Sequence, residues 1–374
     1  MQVVIKILLA LIFFIYGDSR AESYLVEVKR EDIWEEDVLQ NEKVFSMLKE
    51  GLTVLTGKTN LSQALATWIN PKDVVGIKIS TQGGRGLSSK PILVNGLIVG
   101  LKALGVSGKN IIVWDKEATS MEQAGYLLGQ RGDGVRYEAV IPFTGFDSNV
   151  FVTQPQVGEL IWGDLEFHGE TGLTKRSAKV SKQQDWKKSL NFEIASRSSP
   201  LARQESIRSY MAWLVTRRIT KLIHVPVLVN SETVGIYGCI SDLVLGSIDN
   251  SRRFQEEPMW GDPALAEVYA TTVLAQKTIL HVMDGLEMQF AGGPSYAPRY
   301  CRKGNLLFLS TDPVALDSYA AEILEAWRSA GRLPSLKAHI NYLKTANELG
   351  LGNWHNEDSV KFTKVVINPN EKIP

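Results

Sequence analysis

Residues 73–116 place the tightest constraint on what this chain can fold into. DVVGIKIS (73–80) is a short run dense in β-branched residues. ILVNGLIVGLKALG is apolar at helical spacing behind Pro91, and IIVWDK (111–116) is a second apolar run that ends near Asp115. Proline suits the first turn of a helix, because its missing N–H has no partner to lose there. Strand, helix, strand at this spacing is a parallel crossover unit, and such units build a sheet flanked by helices.

The remaining segments extend that α/β pattern. YLVEV (24–28) predicts a first strand, and the following IWEEDVLQNEKVFSMLKEGLTVLTG carries apolar residues near helical spacing. LSQALATWI predicts a short helix opened by Thr59-Asn60 and ended before Pro71. Residues 120–128 predict another short helix, VRYEAVI (135–141) a strand, SYMAWLVTRR (209–218) a helix, and KLIHVPVLV (221–229) a buried strand. SETVGIYGCISDLVLGSIDNSRRF reads as helix and loop, and PALAEVYATTVLAQ as a helix. Residues 278–328 then read as buried strand, glycine-rich loop, buried strand and an aspartate-started helix. SLKAHINYLKTANELGLG and VKFTKVVI add a last helix and strand. Between about 142 and 209 the pattern changes to short apolar runs and a weakly periodic polar stretch, which predicts an inserted, β-rich and irregular segment. The expectation is one mostly parallel α/β domain over 22–374 with that insertion.

The amino terminus is read separately. Lys6 followed by ILLALIFFIY and then GDSRA has the layout of a secretory signal peptide with cleavage after Ala21, so a periplasmic or extracellular protein is expected. The apolar run is short for a membrane span, so no stable span is expected after cleavage. Lys+Arg and Asp+Glu both total 41, so no net field draws the chain to nucleic acid. Cys239 and Cys301 permit one disulfide in an oxidising compartment. Two thiols are too few for an iron–sulfur cluster, and the five histidines show no ligand spacing.

In open parallel sheets, ligands bind beyond the carboxyl ends of the strands. Ser80 and the loop holding Gly83, Gly84, Arg85 and Gly86 follow the first strand of the crossover unit, and with Lys78 they suit a carboxylate or phosphate. A glycine-rich surface turn is the plainer alternative. Asp115 and Asp284 stand at the ends of apolar runs and are the candidate catalytic pair, fit for proton transfer or for a divalent metal, although turn-forming is the commoner job of such residues. Asp249, Asn250, Arg252 and Arg253 lie in one turn whose paired arginines suit an anion. Gly292 and Gly293, before Pro294, offer a backbone that a ligand can approach. Asp312 before Pro313 reads as a helix cap, and Asp317 one turn later faces either the site or a core partner.

VVGIKIS, the helix ending in LGV, IIVWDK, KLIHVPVLV, VMDGLEMQFAGGP, STDPVALDSYAAEIL and YLKTANELGLG, in that order, resemble the domain-of-unknown-function family 362. The likeness runs from about residue 73 to the carboxyl end, outside the insertion. By resemblance, Lys78 matches the lysine of the family's first strand, with Ile79-Ser80 in place of Pro-Asn. The lysine and histidine usual after the proline of the KLIHVPVLV segment are missing, and Ser241-Asp242 stand where many members have lysine-asparagine. The iron–sulfur module of some members is missing too. The resemblance implies no specific activity. Two readings follow: an exported, enzyme-like domain binding a small anionic ligand at its strand ends, or a non-catalytic ligand-binding or surface-assembly protein with a degenerate site.

Overall fold

The computed structural model describes residues 22–153, 208–255 and 260–369. The signal peptide expected over 1–21 and most of the expected insertion lie outside the described residues. The strands are β1 (Ser23–Lys29), β2 (Trp34–Glu35), β3 (Val38–Leu39), β4 (Val75–Ile79), β5 (Ile111–Glu117), β6 (Gly129–Gln130), β7 (Arg136–Ile141) and β8 (Phe146–Val152). They continue as β9 (Ser209–Ala212), β10 (Lys221–Val225), β11 (Val227–Ser231), β12 (Gly235–Ile236), β13 (Thr278–Gln289), β14 (Cys301–Ser310) and β15 (Val360–Val366). The helices are α1 (Asn41–Thr56), α2 (Leu61–Leu65), α3 (Pro91–Leu104), α4 (Ala118–Gln123), α5 (Cys239–Ser247), α6 (Ala264–Thr271), α7 (Val273–Lys277), α8 (Pro313–Ala330) and α9 (Asn341–Glu348).

One 11-stranded sheet organises them, in the order β15-β1-β14-β13-β10-β4-β5-β7-β6, with β11 joined to β13 and β12. The pairs β13–β10, β10–β4, β4–β5 and β5–β7 are parallel, as the crossover unit requires, whereas β14 runs antiparallel between β13 and β1. This is the expected mostly parallel α/β architecture. Strand alternation divides the side chains between two apolar cores. Ile77, Ile79, Ile223, Val225, Leu280 and Val282 face the core shared with α1–α3. Ile112, Trp114, Leu222, Met283 and Phe308 face the core shared with α5, α6 and α8. Burying each such branched side chain is worth about 1.5–3 kcal/mol, so both faces contribute strongly.

Local signals place the helix starts. Asn60 accepts from the Gln63 N–H at the start of α2, and Asp312 accepts from the Ala315 N–H at the start of α8. Asp312 is thus the cap that its place before Pro313 predicted, and it also receives Ser23 Oγ at 2.5 Å and the Asn353 N–H. Two expectations change. SYMAWLVTRR is not one helix, because Ser209–Ala212 pairs as a strand with Phe146–Val152 before a π-helical turn over Leu214–Arg218. The helix read in PALAEVYATTVLAQ is broken at Thr272, whose hydroxyl caps α7 through the Leu274 N–H. Cys239 and Cys301 are both free thiols.

Candidate functional site

The parallel register aligns a row of polar side chains across the middle of the sheet. Lys78 on β4 stands opposite His224 on β10, which stands opposite His281 on β13, which stands opposite Ser310 on β14. All four are buried. They occupy the alternate positions that face α5 and α8, so they sit inside an otherwise apolar layer, where each polar group must find a partner. Lys78 Nζ lies 2.5 Å from Asp242 Oδ1 of α5 and 3.3 Å from Asp115 Oδ1. Asp242 Oδ2 is 2.8 Å from His224 Nε2, and His224 Nδ1 is 3.3 Å from His281 Nδ1. Burial works against the Lys78 charge, but Asp115 and Asp242 outweigh it and hold the ammonium above the usual lysine range. Burial and the nearby Lys78 drive His224 well below the ordinary imidazole range, so its ring is neutral. A neutral His224 that donates Nε2–H to Asp242 has a bare Nδ1, which receives the His281 Nδ1–H. His281 Nε2 is then an acceptor, buried and with no hydrogen-bond partner among the described residues. Gly246 of α5 makes this packing possible, since a Cβ there would stand 2.9 Å from Lys78 Cε.

The two carboxylates of the candidate catalytic pair are committed to different partners. Asp115 Oδ2 accepts the Thr81 N–H at 2.9 Å and the Thr81 hydroxyl at 2.6 Å, besides meeting Lys78. Asp284 is not at a strand end, because β13 continues through it to Gln289. Its Oδ2 accepts the Lys90 N–H at the start of α3 (2.8 Å), and its Oδ1 accepts the Leu286 N–H (3.1 Å). Asp115 and Asp284 thus serve different partners. Burial raises the Asp284 carboxyl to about 6. Ser80 is buried, with its backbone tied to Ser89, and Arg85 is exposed. Gly86 packs flat on the Tyr296 ring, so the loop after β4 and the loop holding Gly292-Gly293-Pro294 are neighbours.

The Asp249–Arg253 turn also separates its charges. Arg252 is exposed, while Arg253 is 1% exposed, donates to Ser209 Oγ at 2.8 Å and stacks on Phe254. The two guanidinium groups therefore form no common clamp. Asp249 Oδ1 accepts the Tyr210 and Asn250 N–H groups, and burial raises this carboxyl to about 6. Lys116, pushed by burial down to about 8, donates to the Leu245 and Asp249 carbonyls and to Ser251 Oγ, closing the end of α5. Asn250 receives Ser209 Oγ on its carbonyl. Asp317 accepts the Cys239 and Ile240 N–H groups at 2.6 and 3.0 Å and so caps α5.

A cavity of about 480 Å³ opens at the carboxyl end of β11, lined by residues that include Ser231, Glu232, Gly292, Arg299, Arg328 and His339. β11 continues the line of β10 past Pro226, so this is the end of a central strand. Gly293 fits because its Cα approaches the Asn230 carbonyl so closely that a Cβ would stand 2.2 Å from the oxygen. Its N–H donates to Asn230 Oδ1 (3.0 Å), and the Gly292 N–H donates to Glu232 Oε1 (2.8 Å). Arg328, buried on α8, donates to the Phe290 and Pro334 carbonyls. Arg299 is exposed and lies over the Tyr300 ring at 4.5 Å. His339 donates Nδ1–H to the Thr233 carbonyl and packs on Trp260.

Gly292, read from the sequence as a backbone that a ligand can approach, lines this cavity, whereas Arg328 and His339, from distant helical segments, were not singled out. Nor was the buried histidine row. The available signal was one histidine inside each of two apolar strands, KLIHV and TILHV, rather than any local spacing. Among the described residues, no group of three or more His, Cys, Asp or Glu side chains is placed to hold a metal ion. No helix among them is long and apolar enough to cross a membrane.

Residues 179–322 match a protein family described as a domain of unknown function (DUF362), in agreement with the resemblance seen in the sequence. The match starts inside the expected insertion and stops before YLKTANELGLG, and the 73–116 unit lies outside it. Neither a search of curated proteins nor one of solved structures gave a match.

Proposed function

We propose, for a chain that carries a DUF362 domain over residues 179–322, that its role is to bind a small anionic molecule at the carboxyl end of β11. The observation that carries this reading is the cavity where Arg299, Arg328 and His339 meet the Gly292 backbone. Pockets of roughly 300–1,000 Å³ suit small molecules, and strand carboxyl ends are where α/β sheets receive them. Arginine forks match the planar oxygen pairs of carboxylates and phosphates. This moves the proposed ligand from the edge at Lys78 and Arg85, where Lys78 is already neutralised by Asp115 and Asp242. Calorimetric titration with succinate and with phosphate tests it. The wild type should bind one of them, and Arg299→Ala should weaken that binding about tenfold or more, as the loss of a charge-assisted contact implies. Equal binding by both proteins would place the anion elsewhere.

A second reading is that the domain also transforms the ligand. It is favoured by the Lys78–Asp242–His224–His281 row, because functional sites are places where shifted proton affinities gather. Recovery of a bound ligand chemically unchanged after prolonged incubation would remove this reading and leave binding.

The protein is proposed to be exported. In support, β1 begins at Ser23, two residues past Ala21, so cleavage there leaves the sheet whole. N-terminal sequencing of the processed protein should read Glu22-Ser23-Tyr24, and an intact Met1 would count against export.

A further inference from the structure

The cavity at the end of β11 already holds a carboxylate of the chain's own. Glu232 Oε1 accepts the Gly292 N–H at 2.8 Å and Asn230 Nδ2 at 2.8 Å, and lies 3.7 Å from Arg328 Nη1. The three donors are fixed. Asn230 is fully buried and is held by the Gly293 N–H through its own oxygen, and the side chain of Arg328 is 5% exposed and pinned by two carbonyls. The acceptor is not fixed in the same way. The Glu232 side chain is 56% exposed, and only one of its two oxygens is hydrogen-bonded among the described residues. A rigid set of donors facing a solvent-reachable carboxylate is a receptor with a tethered occupant.

We infer that Glu232 is a displaceable plug: the ligand is a small carboxylate whose oxygens take over the Gly292, Asn230 and Arg328 donors when Glu232 swings out. The inference rests on the reading of this cavity as the ligand site, and it specifies both the ligand class and a form of self-regulation. Backbone N–H, amide and guanidinium donors on one oxygen suit the planar carboxylate that they now hold. Arg299, on the same cavity with its guanidinium over the Tyr300 ring and in no hydrogen bond or ion pair to the described residues, is placed to receive a second anionic group. A plug seated nine-tenths of the time lowers the apparent affinity roughly tenfold, since only the open fraction is competent to bind.

Succinate is the probe, titrated by calorimetry into the purified wild type, Glu232→Gln, Glu232→Ala and Arg299→Ala proteins, with phosphate as the comparison anion. Glu232→Gln keeps an acceptor for Gly292 and Asn230 while removing the charge that competes for Arg328, so the loop should stay closed-packed and the melting temperature near that of the wild type. Succinate should bind Glu232→Gln about tenfold more tightly than the wild type, and Glu232→Ala at least as tightly. If succinate binding depends on Arg299 but is unchanged or weaker in both Glu232 variants, Glu232 is a structural tie and the plug is overturned while the ligand site stands. If succinate binds none of the proteins and the Glu232 variants melt as the wild type does, the site and the plug fall together. Tightening of phosphate but not of succinate in Glu232→Gln would overturn the carboxylate class.

Discussion

Asp284 shows how a residue's role follows from its surroundings rather than its type. Read from the sequence, it is an acid at a strand end; in the fold it ties down the residue before α3 across space, through the Lys90 N–H. Burial raises it to about 6 from the 3.8 of an unperturbed aspartate. The direction of the pH effect follows from that. Well below pH 3.8 the carboxyl is protonated in folded and unfolded chains alike, and its contribution to stability is fully present. As pH rises towards and through the folded value, the unfolded chain releases its proton more readily, and that contribution is lost. Asparagine does not titrate. The stability of the wild type relative to Asp284→Asn should therefore fall by about 2 kcal/mol between pH 4 and pH 7, measured by urea denaturation at each pH. A difference that stays flat with pH would mean that Asp284 titrates like an exposed carboxylate. Lys78 was legible as a special residue because a lysine inside VVGIKIS has no solvent to reach. Its partners were not, since Asp242 and Asp115 are 164 and 37 residues away along the chain.

At the scale of elements, α5 depends on another helix for its own start. Its N-cap position is Gly238, which has no side chain to offer, and Asp317 of α8 supplies the acceptor for the Cys239 and Ile240 N–H groups. Gly238 is needed there because a Cβ would stand 2.3 Å from Asp317 Oδ1. Asp317→Ala would leave two buried donors without an acceptor. It should cost roughly 2–4 kcal/mol in chemical denaturation, and Asp317→Asn distinctly less, because one acceptor oxygen remains. Equal losses in the two variants would show that packing rather than capping is at stake. The strand at Ser209–Ala212 illustrates the opposite difficulty. Met211, Leu214 and Val215 repeat at helical spacing, and short apolar runs are ambiguous by periodicity alone. Pairing with Phe146–Val152 decides in favour of a strand, because it satisfies backbone groups that the sequence cannot assign.

At the scale of the whole molecule, the sheet joins the two ends of the chain. β1 lies between β14 and β15, so residues 23–29 are hydrogen-bonded to residues 306–310 and 360–366. The same long-range closure produces the polar row and the cavity. Lys78, His224, His281 and Asp242 meet because β4, β10 and β13 stack in register and α5 packs across them, and Glu232, Gly292, Arg299, Arg328 and His339 meet because the end of β11, the loop before β14, α8 and the segment before α9 converge. The sequence alone determined the α/β class, the parallel crossover unit and the Asp312 cap. Those are local properties, written in the period of apolar residues and in the backbone preferences of proline, glycine and aspartate. Only the tertiary structure decided that Asp115 and Asp284 hold different backbone groups, that Arg253 is a buried anchor, and that Glu232 lines the same cavity as Arg299 and Arg328. Side-chain partnership is set by register and burial between distant segments, and neither quantity is carried by any short stretch of sequence.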